Sequence, residues 1–297
     1  MMRNWLLYTA ALGTLTTIWA GDSGPYRSAG FLEIPSQVKL DSVSAVECDS
    51  KGQIYVLHRG EPPLLQFDRN GRYIKGWGDG MFKVAHGLRV DRENNIWTTD
   101  NALHVVRKFS PDGKLMLTLG EENKPGDDEK HFRSPDDLVF SSSGEIYIAD
   151  AGNGRVIRLK PDGSWIGAWG RRGPKDGPHG RAEFAAAHGI AIDRNDRIYV
   201  ADRGNRRIQV FDREGNFISE WTGFGNPFGA LVVGRELLVS DGDAHTISHL
   251  SLKDGRMVVQ WGDAETLKLP HMMALAPDMS LYVAEVSGKR IQKFRRK

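Results

Sequence analysis

The chain has 297 residues, 40% hydrophobic and 26% charged, which is the composition of an ordinary globular protein, and its length fits one repeat array more simply than two domains. A net charge of +2 argues against a dedicated nucleic-acid surface, and the basic Lys289-Arg290 and Arg295-Arg296-Lys297 read as a solvated edge and tail. With Cys48 as the single cysteine, an intrachain disulfide and a cysteine-based zinc site are excluded, and the alternating strand around it suggests a buried free thiol.

At the N-terminus, Arg3 precedes an uncharged, mostly apolar stretch from Leu6 to Trp19, which ends at Ala20 before the turn-rich Gly21-Asp22-Ser23-Gly24-Pro25. This is the pattern of a secretory signal peptide over residues 1–20, cut after Ala20, and it implies a secreted or periplasmic protein. A membrane anchor is the alternative, but the stretch falls short of the about 20 apolar residues a spanning helix needs, so no stable membrane insertion is expected after cleavage. Residues 21–40 form an N-terminal segment with one strand-like run, Phe31-Leu32-Glu33-Ile34, and the repeats fill 41–297.

Six short β-branched and aromatic runs follow in order: Ile54-Tyr55-Val56, Ile96-Trp97-Thr98, Ile146-Tyr147-Ile148, Ile198-Tyr199-Val200, Leu237-Leu238-Val239 and Leu281-Tyr282-Val283. Two residues after each stand His58, Asp100, Asp150, Asp202, Asp241 and Glu285, at intervals of 42, 50, 52, 39 and 44 residues, the spacing of propeller blades. Each run is the second of four predicted strands. Apolar first strands such as Leu88-Arg89-Val90 precede it, and third strands such as Val156-Ile157-Arg158-Leu159 follow. Hairpin signals such as Pro111-Asp112-Gly113 and Pro161-Asp162-Gly163 then lead to fourth strands ending in Trp77, Leu119, Trp169, Trp221 and Trp261. The sixth repeat stops at Phe294 after its third strand. Pairing it with Phe31–Ile34 would close the ring and remove an open edge, so the predicted fold is an all-β, six-bladed propeller. An open solenoid is the competing reading.

Asp150-Ala151-Gly152-Asn153-Gly154-Arg155-Val156 and Asp202-Arg203-Gly204-Asn205-Arg206-Arg207-Ile208 carry the Asp-x-Gly-Asn-x-Arg signature and resemble NHL repeats. Here the Asp is expected to accept backbone N–H bonds, and Asn and Gly to supply unusual backbone angles.

Because repeats are spatially equivalent, counting back 14 residues from each marker (13 in the fifth) finds one ring at the start of the innermost strands: Ser44, His86, Asp136, His188, Phe228 and His271. Histidine recurs at alternate blades. Three neutral imidazoles converging on one axis, with a further position open, form a catalytic rather than a closed structural zinc arrangement. Zinc suits imidazole best, with copper, nickel and iron as alternatives, and polar residues facing channel water are the non-metal reading. His58, His104, His131, His179, His245 and His249 lie in other registers and read as structural or exposed.

The chain also resembles the propeller of the peptidyl-α-hydroxyglycine α-amidating lyases over nearly all its length after residue 40. The resemblance rests on His58-Arg59-Gly60, His86-Gly87-Leu88, Asp100-Asn101-Ala102-Leu103-His104-Val105 and Pro125-Gly126-Asp127 leading to His131-Phe132. It continues through His188, Ala201-Asp202-Arg203 with Arg207-Ile208-Gln209, and Pro270-His271. It implies that His86, His188 and His271 bind one zinc ion, and that Arg59 and Arg203 serve the active site. The implied reaction cleaves a carbinolamide C–N bond to release glyoxylate and a peptide amide. A bidentate guanidinium suits the substrate carboxylate, and a base must take the hydroxyl proton.

Three departures stand out. The family's Tyr in the third-blade loop, within Asp-Gly-Tyr, is replaced by the shorter Asp150-Ala151-Gly152-Asn153. The Asp that follows the third His and helps bind a structural calcium is Met272, and the family's half-cystine pairs are absent. Tyr55, Tyr147, Tyr199 and Tyr282 lie inside second strands, so metal-bound hydroxide or another residue such as Asp136 would have to replace the Tyr. Asp136, on the channel ring, is a candidate base or added ligand, with a solvated channel carboxylate as its alternative. The expected function is thus a zinc-dependent, lyase-like enzyme, a monomer acting on a carboxylate-bearing small molecule or peptide. The competing function is a non-catalytic secreted NHL propeller that binds a peptide, glycan or protein. An RNA-binding NHL propeller would need a basic face.

Overall fold

In a computed structural model the backbone is described for residues 18–19, 24–174 and 179–297. The predicted leader, residues 1–20, lies outside these except for Ile18–Trp19, which pair parallel to Gln260 and Trp261. No helix among the described residues is long and apolar enough to cross a membrane.

Apart from Ile18–Trp19, Arg171–Arg172 and Glu183–Phe184, the described strands form six four-stranded antiparallel blades. Their innermost strands are Val43–Cys48, Ala85–Val90, Pro135–Phe140, Ala187–Ile192, Pro227–Val233 and Pro270–Leu275, each packed on the next, with the last against the first. The second strands are Ile54–His58, Ile96–Asp100, Ile146–Asp150, Ile198–Asp202, Glu236–Asp241 and Leu281–Glu285, and apart from Glu236 they are buried throughout. Both faces of a blade are covered by neighbouring blades, so these strands read as continuous apolar runs rather than alternating ones. Tyr55 and Tyr199 hydrogen-bond Asp49 and Asp193 through their hydroxyls, at 3.4 and 3.1 Å, and are committed to blade cores.

The outer strand of one blade is locked by the hairpin of the next. Gly113 and Gly163 hold positive φ of 91° and 87°, which a side chain would strain, and they cover Trp77 and Leu119 of the preceding blades. In the last blade Gly24 occupies the corresponding place over Trp261. The ring closes as expected, but with the register corrected. Tyr26–Phe31, not Phe31–Ile34, pairs with Arg290–Arg296, and only Leu32 N extends the pairing, donating to Ile291 O at 3.0 Å. Burial sets this register, because Tyr26 is the anchor, packed among Trp261, Phe294 and Leu267.

The markers act as turn locks. Asp100 accepts from the backbone N–H of Lys83, Val84, Ala102 and Leu103. Asp202 accepts from Ala185 N, Asn205 Nδ2 and Arg207 Nε, and Asp150 has the same set in blade 3. The signature Asn therefore works through its side chain. The left-handed angle falls one residue later, at Gly154 and Arg206, and at His104 and His245 in blades 2 and 5. His58 substitutes for the carboxylate by accepting at Nδ1 from Asp41 N and Gly60 N.

Candidate metal centre in the central channel

Every innermost strand carries a register irregularity at its channel residue: between Ala85 and Leu88, between Ala187 and Ile190, between Pro270 and Met273, and likewise in the other three. A bulge leaves its residues out of the ladder and re-aims their side chains. It is by this device that His86, His188 and His271 turn towards one point. Their available ligand atoms lie within 4.8 Å of one another, and the ring centroids are 4.7, 5.0 and 4.9 Å apart.

The supporting contacts repeat with threefold order. His86 Nδ1 bonds Asp136 O at 2.9 Å, His188 Nδ1 bonds Phe228 O at 2.9 Å, and His271 Nδ1 bonds Ser44 O at 2.6 Å. A carbonyl only accepts, so each Nδ1 carries its proton and each Nε2 presents a lone pair. The even blades thus supply imidazoles and the odd blades supply the carbonyls that orient them. This explains why the odd-blade ring residues can be Ser, Asp and Phe. Thr99 Oγ1 reinforces the first carbonyl, donating to Asp136 O at 2.9 Å, and Ser240 Oγ donates to His271 O.

Burial holds all three imidazoles neutral. It lowers His86 to about 4 against the opposing pull of the Asp136 carbonyl, with Arg59 and Arg203 adding to the depression. Burial likewise carries His188 and His271 well below the ordinary range, helped by the neighbouring imidazoles and by Arg203. Among the described residues, His188 Nε2 is buried without a hydrogen-bond partner, which costs about 1–3 kcal/mol if left so. Three converging neutral nitrogens, with tautomers fixed by backbone carbonyls and one of them orphaned, fit a divalent cation that favours imidazole.

Asp136 lies beside this group, its carboxyl oxygens 3.8 Å from Nε2 of His86 and of His188. Burial raises it to about 8 against the Asn101 hydrogen bond and the charges of Arg203 and Arg59. Both predicted arginines therefore act on the cluster electrostatically. Arg59 donates to Ala85 O at 3.4 Å, and the Arg203 guanidinium lies over the Phe228 ring at 5.0 Å. In blade 3, Ala151 is buried and Gly152 N is tied to Arg133 O at 2.8 Å. Met272 is fully buried among apolar neighbours.

Two residues escaped sequence reasoning. Asn101 donates through Nδ2 to Asp136 Oδ1 at 2.7 Å. Its signal was its offset: it directly follows a marker, as Arg59 and Arg203 do. Arg89, read within an apolar strand, is instead a buried tie across the channel. Its guanidinium donates to Asp137 at 2.6 Å, Glu47 at 3.3 Å, Leu138 O at 3.1 Å and Ile190 O at 3.3 Å.

Comparison with known proteins agrees with this architecture. The NHL repeat family model matches residues 132–159 and 184–211. NHL repeat-containing protein 3 from Mus musculus is 29% identical over 269 residues, covering 82% of this chain and 76% of that protein. Peptidyl-alpha-hydroxyglycine alpha-amidating lyase 1 from Drosophila melanogaster is 28% identical over 313 residues, covering 87% of this chain but 58% of that protein. A solved streptogramin B lyase superposes with a TM-score of 0.68 at 13% identity, covering 92% of this chain and 98% of that one, and supports the fold alone. The chain is thus a six-bladed β-propeller that carries two NHL repeats and is similar to the amidating lyases and to NHL repeat-containing protein 3.

Proposed function

We propose that this propeller is a metal-dependent carbon–nitrogen lyase acting on a carboxylate-bearing carbinolamide of the peptidyl-α-hydroxyglycine type. The observation that carries the reading is the convergence of three carbonyl-oriented imidazole nitrogens beside two guanidiniums. His86, His188 and His271 would hold one zinc ion, which when bound supplies Lewis acidity towards a substrate oxygen. Arg59 and Arg203 bind the carboxylate, with fork geometry that orients the carbinol carbon. Asp136, once ionised, takes the hydroxyl proton. The O–H electron pair becomes the aldehyde C=O, the C–N bond breaks, and the nitrogen leaves with its pair and receives that proton. The products are glyoxylate and the primary amide, so Asp136 is a net carrier of one proton from oxygen to nitrogen. The water-poor channel wall strengthens each of these electrostatic contacts. The reading includes work outside the cytoplasm, after removal of residues 1–20, as a monomer.

The test is elemental analysis of the purified chain, then glyoxylate release from an α-hydroxyglycine peptide with and without chelator. One equivalent of zinc with chelator-sensitive release is the expected result. The blade-3 loop favours a second reading, because Asp150-Ala151-Gly152-Asn153 is one residue shorter than the lyases' loop and carries no Tyr. Under that reading the protein is a non-catalytic propeller that binds a peptide, glycan or protein, and zinc without turnover would support it.

A further inference from the structure

The residue immediately after each marker occupies an equivalent position in each blade: Arg59, Asn101, Ala151, Arg203, Gly242 and Val286. Three of these side chains are polar. Arg59 and Arg203 can only donate hydrogen bonds, so they suit an anion. Asn101 differs. Its backbone is fixed by Asn101 N donating to Val84 O at 3.1 Å and by the four N–H bonds of Asp100. Its Nδ2 is spent on Asp136 Oδ1 at 2.7 Å, which turns Oδ1 away from the carboxylate. That Oδ1 is buried and has no hydrogen-bond partner among the described residues. A buried acceptor left unmade is costly, and a site that retains one discriminates for a ligand bearing the matching donor.

Resting on the lyase reading for the orientation of the ligand, we propose that Asn101 determines specificity by accepting, at Oδ1, a hydrogen bond from the substrate amide N–H. The donors of such a substrate are few. Its carboxylate has none, and its hydroxyl faces Asp136 and the imidazoles. The N–H, one bond from the carbinol carbon, is the donor left for an acceptor anchored to Asp136. Asn101 therefore selects N-acyl over O-acyl compounds and aligns the leaving nitrogen.

The test uses the zinc-loaded full chain and two stable probes, benzoylglycine and benzoyloxyacetate, in which an ester oxygen replaces the N–H. Calorimetric titration of wild-type protein is expected to give about tenfold tighter binding of benzoylglycine. In Asn101→Ala the preference falls to within about twofold, and in Asn101→Gln, whose amide can still reach, part of it returns. Because the readout is a ratio within one protein, a general loss of affinity leaves it interpretable, and a melting curve for each variant verifies folding. Equal binding of both probes by wild type, a preference kept by Asn101→Ala, or no binding of either probe overturns the proposal. Glyoxylate release from benzoyl-α-hydroxyglycine is scored separately. Discrimination without release leaves Asn101 as assigned and the lyase reading refuted, and release without discrimination does the reverse.

Discussion

Gly87→Ala is the sharpest probe of how the histidines are held. A Cβ built there would stand 2.5 Å from Asp136 O and 2.9 Å from Thr99 Oγ1. The carbonyl must then retreat by close to an ångström, yet it accepts both His86 Nδ1 and Thr99 Oγ1 at 2.9 Å. Retreat over that distance breaks at least the imidazole bond. Loss of one neutral buried hydrogen bond costs about 0.5–1.5 kcal/mol, and the added methyl in a packed wall costs about 1–3 kcal/mol. Stability should fall by roughly 1.5–4.5 kcal/mol, which at about 2–4 °C per kcal/mol lowers Tm by roughly 3–18 °C. An imidazole freed from its orienting carbonyl should bind zinc about 10–100-fold more weakly. The assay pairs thermal melting of the metal-free chain with zinc competition against a chromophoric chelator. Gly167→Ala is the control, since a Cβ there meets nothing within 4 Å in an outer strand. If Gly87→Ala kept wild-type zinc affinity and melted like the control, the carbonyl-oriented site would be wrong.

Other predictions concern separate parts of the channel. Removing an imidazole in His188→Ala should lower zinc content sharply by elemental analysis, and unchanged occupancy would refute the ligand set. Inserting a Tyr between Ala151 and Gly152 should raise glyoxylate release. Gly152 itself must stay, because a Cβ there would meet Arg133 O at 2.5 Å; no gain would mean that the pocket has diverged as well. Arg89→Met should cost about 3–5 kcal/mol in chemical denaturation by stranding the fully buried Asp137 carboxylate. Adding Asp137→Asn should recover part of that loss, and an additive double variant would show that the two do not act as a pair.

The six anchor strands, the hairpin glycines and the 14-residue offset to the channel ring were legible because they are local. Strand period, turn chemistry and repeat length act within some tens of residues, and a repeat makes distant positions equivalent without any knowledge of distance. His86, His188 and His271 were therefore readable as one set, and Arg59 and Arg203 entered through the family resemblance. The sequence pattern points to a closing strand at Phe31–Ile34, whereas the pairing covers Tyr26–Phe31, because its register follows Tyr26 seated against Trp261 and Phe294, a fit between distant parts of the chain. Only the closed ring decided the rest. The bond from His271 Nδ1 to Ser44 O joins residues 227 positions apart, and the Arg89 tie crosses to blades 1, 3 and 4. Asn101 meets Asp136 across a blade boundary. The chain thus fixes by local pattern which residues each blade presents to the axis. Which of them touch, with which tautomer and in what charge state, depends on the curvature that brings six inner strands together and excludes water between them.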